Sequence, residues 1–233
     1  MQKSKIEWTD YTVNPVKGYC PMACPYCYAR RMYDRFKWDK AIRYADASWF
    51  GIDHLPPSRI FVGSTIELFG DWVITAWMNC ILDQVKLNSQ HTFIFLTKKP
   101  QNLGKWSPFP PNTWVGVSAT NQRMFEDGRY LLHPVQAKVK FLSIEPLLDW
   151  EPPKDMLAWH YNMSSLVTRT GIGWLIIGAE TGNRKGKPPL EQVQGWAREI
   201  IKVADEAGIP VFTKDNLKLP ANEQRREFPG VKP

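Results

Sequence analysis

The chain has 233 residues, 43% of them apolar, and a formal net charge of +7. This length and apolar fraction exclude a disordered or fibrous chain and fit one domain with a sizeable core, or one domain with a small appendage. No run approaches the eighteen apolar residues of a membrane span and the opening MQKSKIEWTD has no apolar signal core, so no membrane partner and a cytoplasmic location are expected.

The pattern predicts a first strand around Tyr11–Tyr19 that leads into the loop CPMACPYCY, which carries Cys20, Cys24 and Cys27. A helix is expected over Cys24–Lys37, and Lys40–Ser58, with its paired prolines, reads as a loop. Short runs rich in Val, Ile and Phe then recur: RIFVGS (59–64), TFIFLT (92–97), TWVGVS (113–118), VKFLSI (139–144), WLIIGA (174–179) and PVFTK (210–214). Each is bounded by polar residues, Gly or Pro, as strands are. Helical periodicity appears between them over Trp72–Leu87, Asn121–Leu132 and Leu190–Ala207; in the last, Val193, Trp196, Ala197, Ile200 and Ala204 share one face. The segment 149–170 is long and irregular, a lid or a surface insertion.

Nearly continuous apolar strands alternating with helices predict an α/β fold around a parallel sheet covered on both faces. Six or seven such units are too few for a closed eight-unit barrel, so a partial (β/α)6-type barrel is expected over residues 1–217, followed by a tail at 218–233.

The three clustered cysteines carry the most chemistry. Three thiolates within eight residues hold three corners of an iron–sulfur cube and leave one iron open to a small molecule. Zinc is the competing reading, but zinc sites usually pair such a motif with a second Cys/His pair. The four histidines stand singly, and the remaining cysteine, Cys80, lies in an apolar helical stretch. Four cysteines are too sparse for a disulfide framework.

In a parallel barrel, ligands sit at the C-terminal strand ends. There the chain places Ser64, Thr65 and Glu67, then Lys98, then Ser118 and Asn121, then Glu145, Glu180 and Lys214. Any one of these has a structural alternative: Ser118 and Asn121 as helix N-caps, and Glu145 and Glu180 paired with Lys98 and Lys214.

The positive charge fits a partner that bears phosphate, and its densest clusters are ARRMYDRFKWDK (29–40) and NRKGK (183–187). The eleven tryptophans supply core and, for some, a stacking surface for a base or other flat ligand.

CxxxCxxC with an aromatic, Tyr26, before its third cysteine resembles the signature of the radical S-adenosylmethionine (SAM) superfamily. The resemblance implies a [4Fe–4S] cluster on Cys20, Cys24 and Cys27, with SAM on the open iron. It also implies reductive cleavage of SAM to a 5′-deoxyadenosyl radical that abstracts hydrogen from a substrate. A reductase or flavodoxin-type electron donor follows from that chemistry. By position, Ser64, Thr65 and Glu67 correspond to the SAM amino-group site and Ser118 and Asn121 to the ribose site. Tyr26 corresponds to an adenine contact and Lys98 to a partner of the SAM carboxylate. Glu145, Glu180 and Lys214 fall on the adenine or substrate side.

The whole chain also resembles a smaller family of phage and bacterial proteins of unassigned function. The resemblance is carried by Trp8, Thr9, Asp10, Asn14 and Pro15, and by LTKKP, GVSATNQ, FLSIEPLL, WLIIGAETG and AGIPVFTKD. Members commonly end in an FxKQWG-like stretch; this chain has FTKDNLKL, keeping Lys214 alone of K, Q, W and G. The substrate is expected to be a small molecule or nucleotide, with nucleic acid included. The alternatives are a peptide-modifying radical SAM enzyme, against which the absence of any cysteine after Cys80 argues, and a non-catalytic binding protein held by zinc or a structural cluster.

Overall fold

The computed structural model describes residues 2–151, 171–182 and 184–230. Residues 152–170 of the expected insertion lie outside these, as do Asn183 and the last three residues of the expected tail. The chain divides into two compact units, Met1–Val115 with Gln136–Lys138, and Gly116–Val135 with Val139–Pro233.

In the first unit, β1 (Gln2–Lys3) pairs antiparallel with β2 (Tyr11–Val13). β2 runs parallel to β5 (Arg59–Val62), and β5 runs parallel to β6 (Thr92–Thr97). β3 (Val16–Lys17) and β4 (Arg43–Tyr44) form a separate antiparallel ribbon. The helices are α1 (Tyr28–Phe36) and α2 (Thr75–Leu87). β7 (Thr113–Ala119) crosses the division. The second unit continues with α3 (Gln122–Leu132), β8 (Val139–Ile144), β9 (Ile172–Ile177), α4 (Leu190–Glu206) and β10 (Val211–Thr213). β8, β9 and β10 are parallel neighbours.

The sheet order is β1-β2-β5-β6-β7-β8-β9-β10, open at both ends. The fold is therefore the expected α/β class, built on a mostly parallel sheet that does not close. The strands bury the apolar runs that marked them: Ile60, Val62, Phe93, Phe95, Val115, Leu142, Ile144, Ile176 and Ile177 are all buried. Trp8, Trp150 and Trp174 are buried as well, so these tryptophans are core.

Local chemistry moves some boundaries. The expected first strand splits at Asn14–Pro15 into β2 and β3, because proline carries no N–H for the ladder. Helix α1 begins at Tyr28, with Cys27 as its N-cap, and so leaves the cysteines on the preceding loop. Beyond β10, the chain folds back along it. Thr213 N donates to Arg225 O (2.9 Å), Glu227 N donates to Val211 O (3.1 Å), and Phe212 bridges antiparallel to Arg226.

Candidate functional site

In the first unit the cysteine loop is pinned at both ends. Gly18 has a positive φ of 131°, and a Cβ there would lie 2.7 Å from Ala41 O, so the chain can enter the loop here only without a side chain. Gly18 N donates to the Tyr33 hydroxyl (2.8 Å) and Tyr19 N to Lys40 O (3.0 Å). Inside the loop, Ala23 takes a left-handed conformation and Cys27 N donates to Cys24 O (3.0 Å), which folds the motif into tight turns. Arg30, one turn into α1, donates back to Cys20 O.

The loop is joined to the polar stretch after β5. Glu67 N donates to Cys20 Sγ (3.5 Å), and the Tyr28 hydroxyl donates to Ser64 O (2.9 Å). Asn14 Oδ1 accepts from Ser64 Oγ, Thr65 N and Thr65 Oγ1, each at 3.2 Å. One amide oxygen thus fixes the turn that follows the strand. The Glu67 carboxylate is buried and bridges to the end of β6, accepting from Thr97 Oγ1 (2.6 Å), Lys98 N (2.7 Å) and Phe69 N (3.0 Å). The structure therefore brings together Cys20, Ser64, Thr65, Glu67 and the Lys98 backbone. Asn14 is the member that sequence reasoning gave no role; its place among the residues that carry the family resemblance was the available signal.

All three motif cysteines are free thiols; Cys20 is buried, while Cys24 and Cys27 are half-exposed. Burial pushes the Cys20 thiol pKa up, against the opposing pull of the Glu67 and Met22 amides. Those N–H groups are suited to a sulfur that carries negative charge. Among the described residues, no three His, Cys, Asp or Glu side chains are grouped to hold one metal ion. A cube asks for something else, since each thiolate takes its own iron and the sulfurs need not converge on a point. Free thiols on one amide-lined loop fit that donor set. Tyr26 lies half-exposed on the same loop.

In the second unit, register aligns Ser143 and Phe212 with Ile176, so Glu145, Gly178 and Lys214 follow on one face just past the strand ends. Lys214 Nζ forms an ion pair with Glu145. Gly178 lies between them: a Cβ there would be 3.1 Å from both Glu145 Cγ and Lys214 Cδ. Asn216 clamps the next residue, accepting from Ala179 N (3.0 Å) and donating to Ala179 O (2.7 Å). Glu180 pairs with Arg184 rather than with a lysine: Arg184 Nε and Nη2 reach its two oxygens at 2.8 and 2.7 Å. Asn121 is the N-cap of α3 and accepts from Met124 N (2.9 Å); Ser118 is buried in β7. A cavity of about 280 Å³ opens beside Ala179 and Glu180, lined also by Lys187, Asn216 and Lys218.

A family model described as "Protein of unknown function (DUF5131)" matches residues 3–227. The chain belongs to the DUF5131 family. No curated protein sequence matches this DUF5131 chain. Its fold is found in solved structures of spore photoproduct lyase. A mutant with bound AdoMet and dinucleoside spore photoproduct aligns at a TM-score of 0.63 and 11% identity, over 91% of this chain and 78% of that one. The enzyme complexed with dinucleoside spore photoproduct aligns at 0.62 and 12%, over 91% and 79%. At such identities the likeness is one of fold, and it agrees with the partial-barrel class of this DUF5131 chain. Among its described residues, no helix is long and apolar enough to cross a membrane.

Proposed function

We propose that this protein is a radical SAM enzyme acting on a nucleotide or nucleic acid. The observation that carries the reading is the CxxxCxxC loop, tied through Cys20 Sγ and Tyr28 to the polar stretch that closes β5. It is supported by the AdoMet and dinucleoside bound on the same fold in spore photoproduct lyase. When bound, a [4Fe–4S] cluster and SAM supply the one-electron cleavage and the hydrogen-abstracting radical.

The chain's own residues bind and orient. Cys20, Cys24 and Cys27 are the cluster ligands, and the Glu67 amide stabilises the sulfur of Cys20. Ser64 and Thr65, held by Asn14, face the SAM amino group; Glu67 holds that turn through the end of β6, and Lys98 pairs with the SAM carboxylate. Tyr26 borders adenine, and Ser118 and Asn121 serve the ribose. Lys214, oriented by Glu145, is the cation of the substrate side, and Glu180 is fixed there by Arg184. A reductase or flavodoxin-type protein donates the electron.

The test is anaerobic reconstitution with iron and sulfide, followed by SAM and dithionite and an assay for 5′-deoxyadenosine. The expected result is product formation that requires all three cysteines. No product, with one zinc per chain and no SAM binding, overturns the reading in favour of a metal-stabilised binding protein.

A further inference from the structure

The segment 28–40 holds Arg30, Arg31, Arg35, Lys37 and Lys40 against Asp34 and Asp39. The two carboxylates are already taken: Asp34 by Lys40 (2.6 Å) and the Tyr19 hydroxyl (2.9 Å), and Asp39 by Arg43 (2.6 Å). Arg31, Arg35 and Lys37 are exposed, and among the described residues none has a carboxylate partner. Helix α1 buries Ala29 and Tyr33, so Arg31 and Arg35, one turn apart, share the outward side.

At the end of the helix, Lys37 takes a left-handed conformation, and this turn brings the rings on either side of it together. Phe36 and Trp38 stack with centroids 5.5 Å apart and planes 24° apart. Trp38 is steadied by an edge-on contact with Tyr33, and the Arg35 guanidinium lies 5.3 Å from the Phe36 centroid. This stack is open to solvent, with Phe36 53% and Trp38 44% exposed. Isolated exposed apolar residues are ordinary, but a stacked pair flanked by exposed cations is a surface. Flat rings match the face of an unpaired base, and the cations match its phosphates.

We propose that this face of α1, from Arg31 and Arg35 to Lys37 and the Phe36–Trp38 stack, binds single-stranded nucleic acid. Phosphates lie along the cations and a base stacks on the aromatic pair. A duplex is a poorer fit because its base faces are covered. The face begins at Cys27, the N-cap of α1, and runs about 13 Å along the helix. It would thus deliver a strand to the cysteine loop, and in this it rests on the reading of the substrate as nucleic acid.

The experiment is fluorescence anisotropy with labelled oligothymidylate and oligouridylate twelve-mers, on the full chain without SAM or reductant. Comparing the two oligomers separates DNA from RNA. Binding is expected to weaken with salt and to be weaker for a duplex of the same length. Arg31→Gln with Arg35→Gln should flatten the log–log salt slope by about 1.4, two phosphates at about 0.7 each. Phe36→Ala with Trp38→Ala should weaken binding about ten-fold or more and leave the slope unchanged. The arginine pair is exposed, so its variant tests the proposal even if the aromatic variant folds poorly. No binding, binding indifferent to both variants, or binding to anionic vesicles alone overturns the proposal. So does an aromatic variant that alters only the sedimentation of the protein, which would mark a self-association face. Because no SAM is present, loss of 5′-deoxyadenosine formation with intact strand binding would overturn the enzyme reading and spare this one.

Discussion

Lys214 and Glu145, 69 positions apart in the chain, meet as an ion pair across the bare backbone of Gly178. Their side chains are only 15% and 24% exposed, so the pair is held out of water and each charge depends on the other. Lys214→Met should cost about 1–3 kcal/mol in urea unfolding by leaving Glu145 without its cation. It should also reduce substrate turnover more than uncoupled SAM cleavage; equal loss of both would move Lys214 to the SAM side.

Gly178→Ala tests the same pair from the backbone. The new methyl would sit 3.1 Å from Glu145 Cγ and Lys214 Cδ and 3.2 Å from Asn216 Oδ1, so several groups must shift together. The expected cost is about 1–3 kcal/mol, read from the shift in urea midpoint. An unchanged midpoint would mean that the two side chains swing aside freely.

Glu67 accepts three hydrogen bonds while buried, so its removal should be severe. Glu67→Gln replaces one acceptor oxygen with a donor that faces other donors. A loss of about 2–4 kcal/mol is expected. Thr97→Val removes one of the three partners and also the acceptor of Lys99 N, and should cost less, about 1–2 kcal/mol. The comparison is made by chemical denaturation.

Cys24→Ala and Cys27→Ala alter half-exposed side chains and should leave the thermal midpoint within about 2 °C, since surface changes seldom exceed about 0.5 kcal/mol. Each should nevertheless abolish the broad visible absorbance of the reconstituted protein. A variant that retains both the chromophore and SAM cleavage would remove its cysteine from the ligand set.

Asp10 supplies a pH test. Burial raises its pKa, but hydrogen bonds and charge from Arg59 override this and hold the carboxyl below its ordinary value. A carboxylate depressed in the folded state contributes stability above its unfolded pKa, about 3.9, and loses it as pH falls through the folded value. Asp10→Asn should therefore show a shallower loss of urea midpoint than the natural chain between about pH 5 and pH 3. Parallel curves would mean that the Arg59 pair adds nothing to acid sensitivity.

The strands β5 to β10 were legible because each is a nearly continuous apolar run, and α4 because its apolar residues keep helical spacing from Leu190 to Glu206. The cysteine loop was legible because its spacing is local. What the sequence hid is pairing between distant positions. Glu67 finds Thr97 and Lys98 thirty or more positions away, and Asn14 finds Ser64 and Thr65 fifty or more away. Such partners leave no periodicity. The β3–β4 ribbon was missed for another reason: strands of two residues are too short to carry an alternation. The Glu180–Arg184 pair has a helix-like spacing of four but lies outside any helix, so a rule for helical pairs would not have found it.

The two borders of the sheet are both finished by antiparallel chain. β1 covers β2, and residues 225–227 return along β10. An uncovered parallel border would present a row of free amides and carbonyls on which another molecule could polymerise. Trimming to residue 217, or fusing a bulky tag directly onto Gln2, would uncover such a row. Expression and crystallisation should therefore keep both short flanks, and aggregation of a trimmed form would reflect a lost border rather than a failed core.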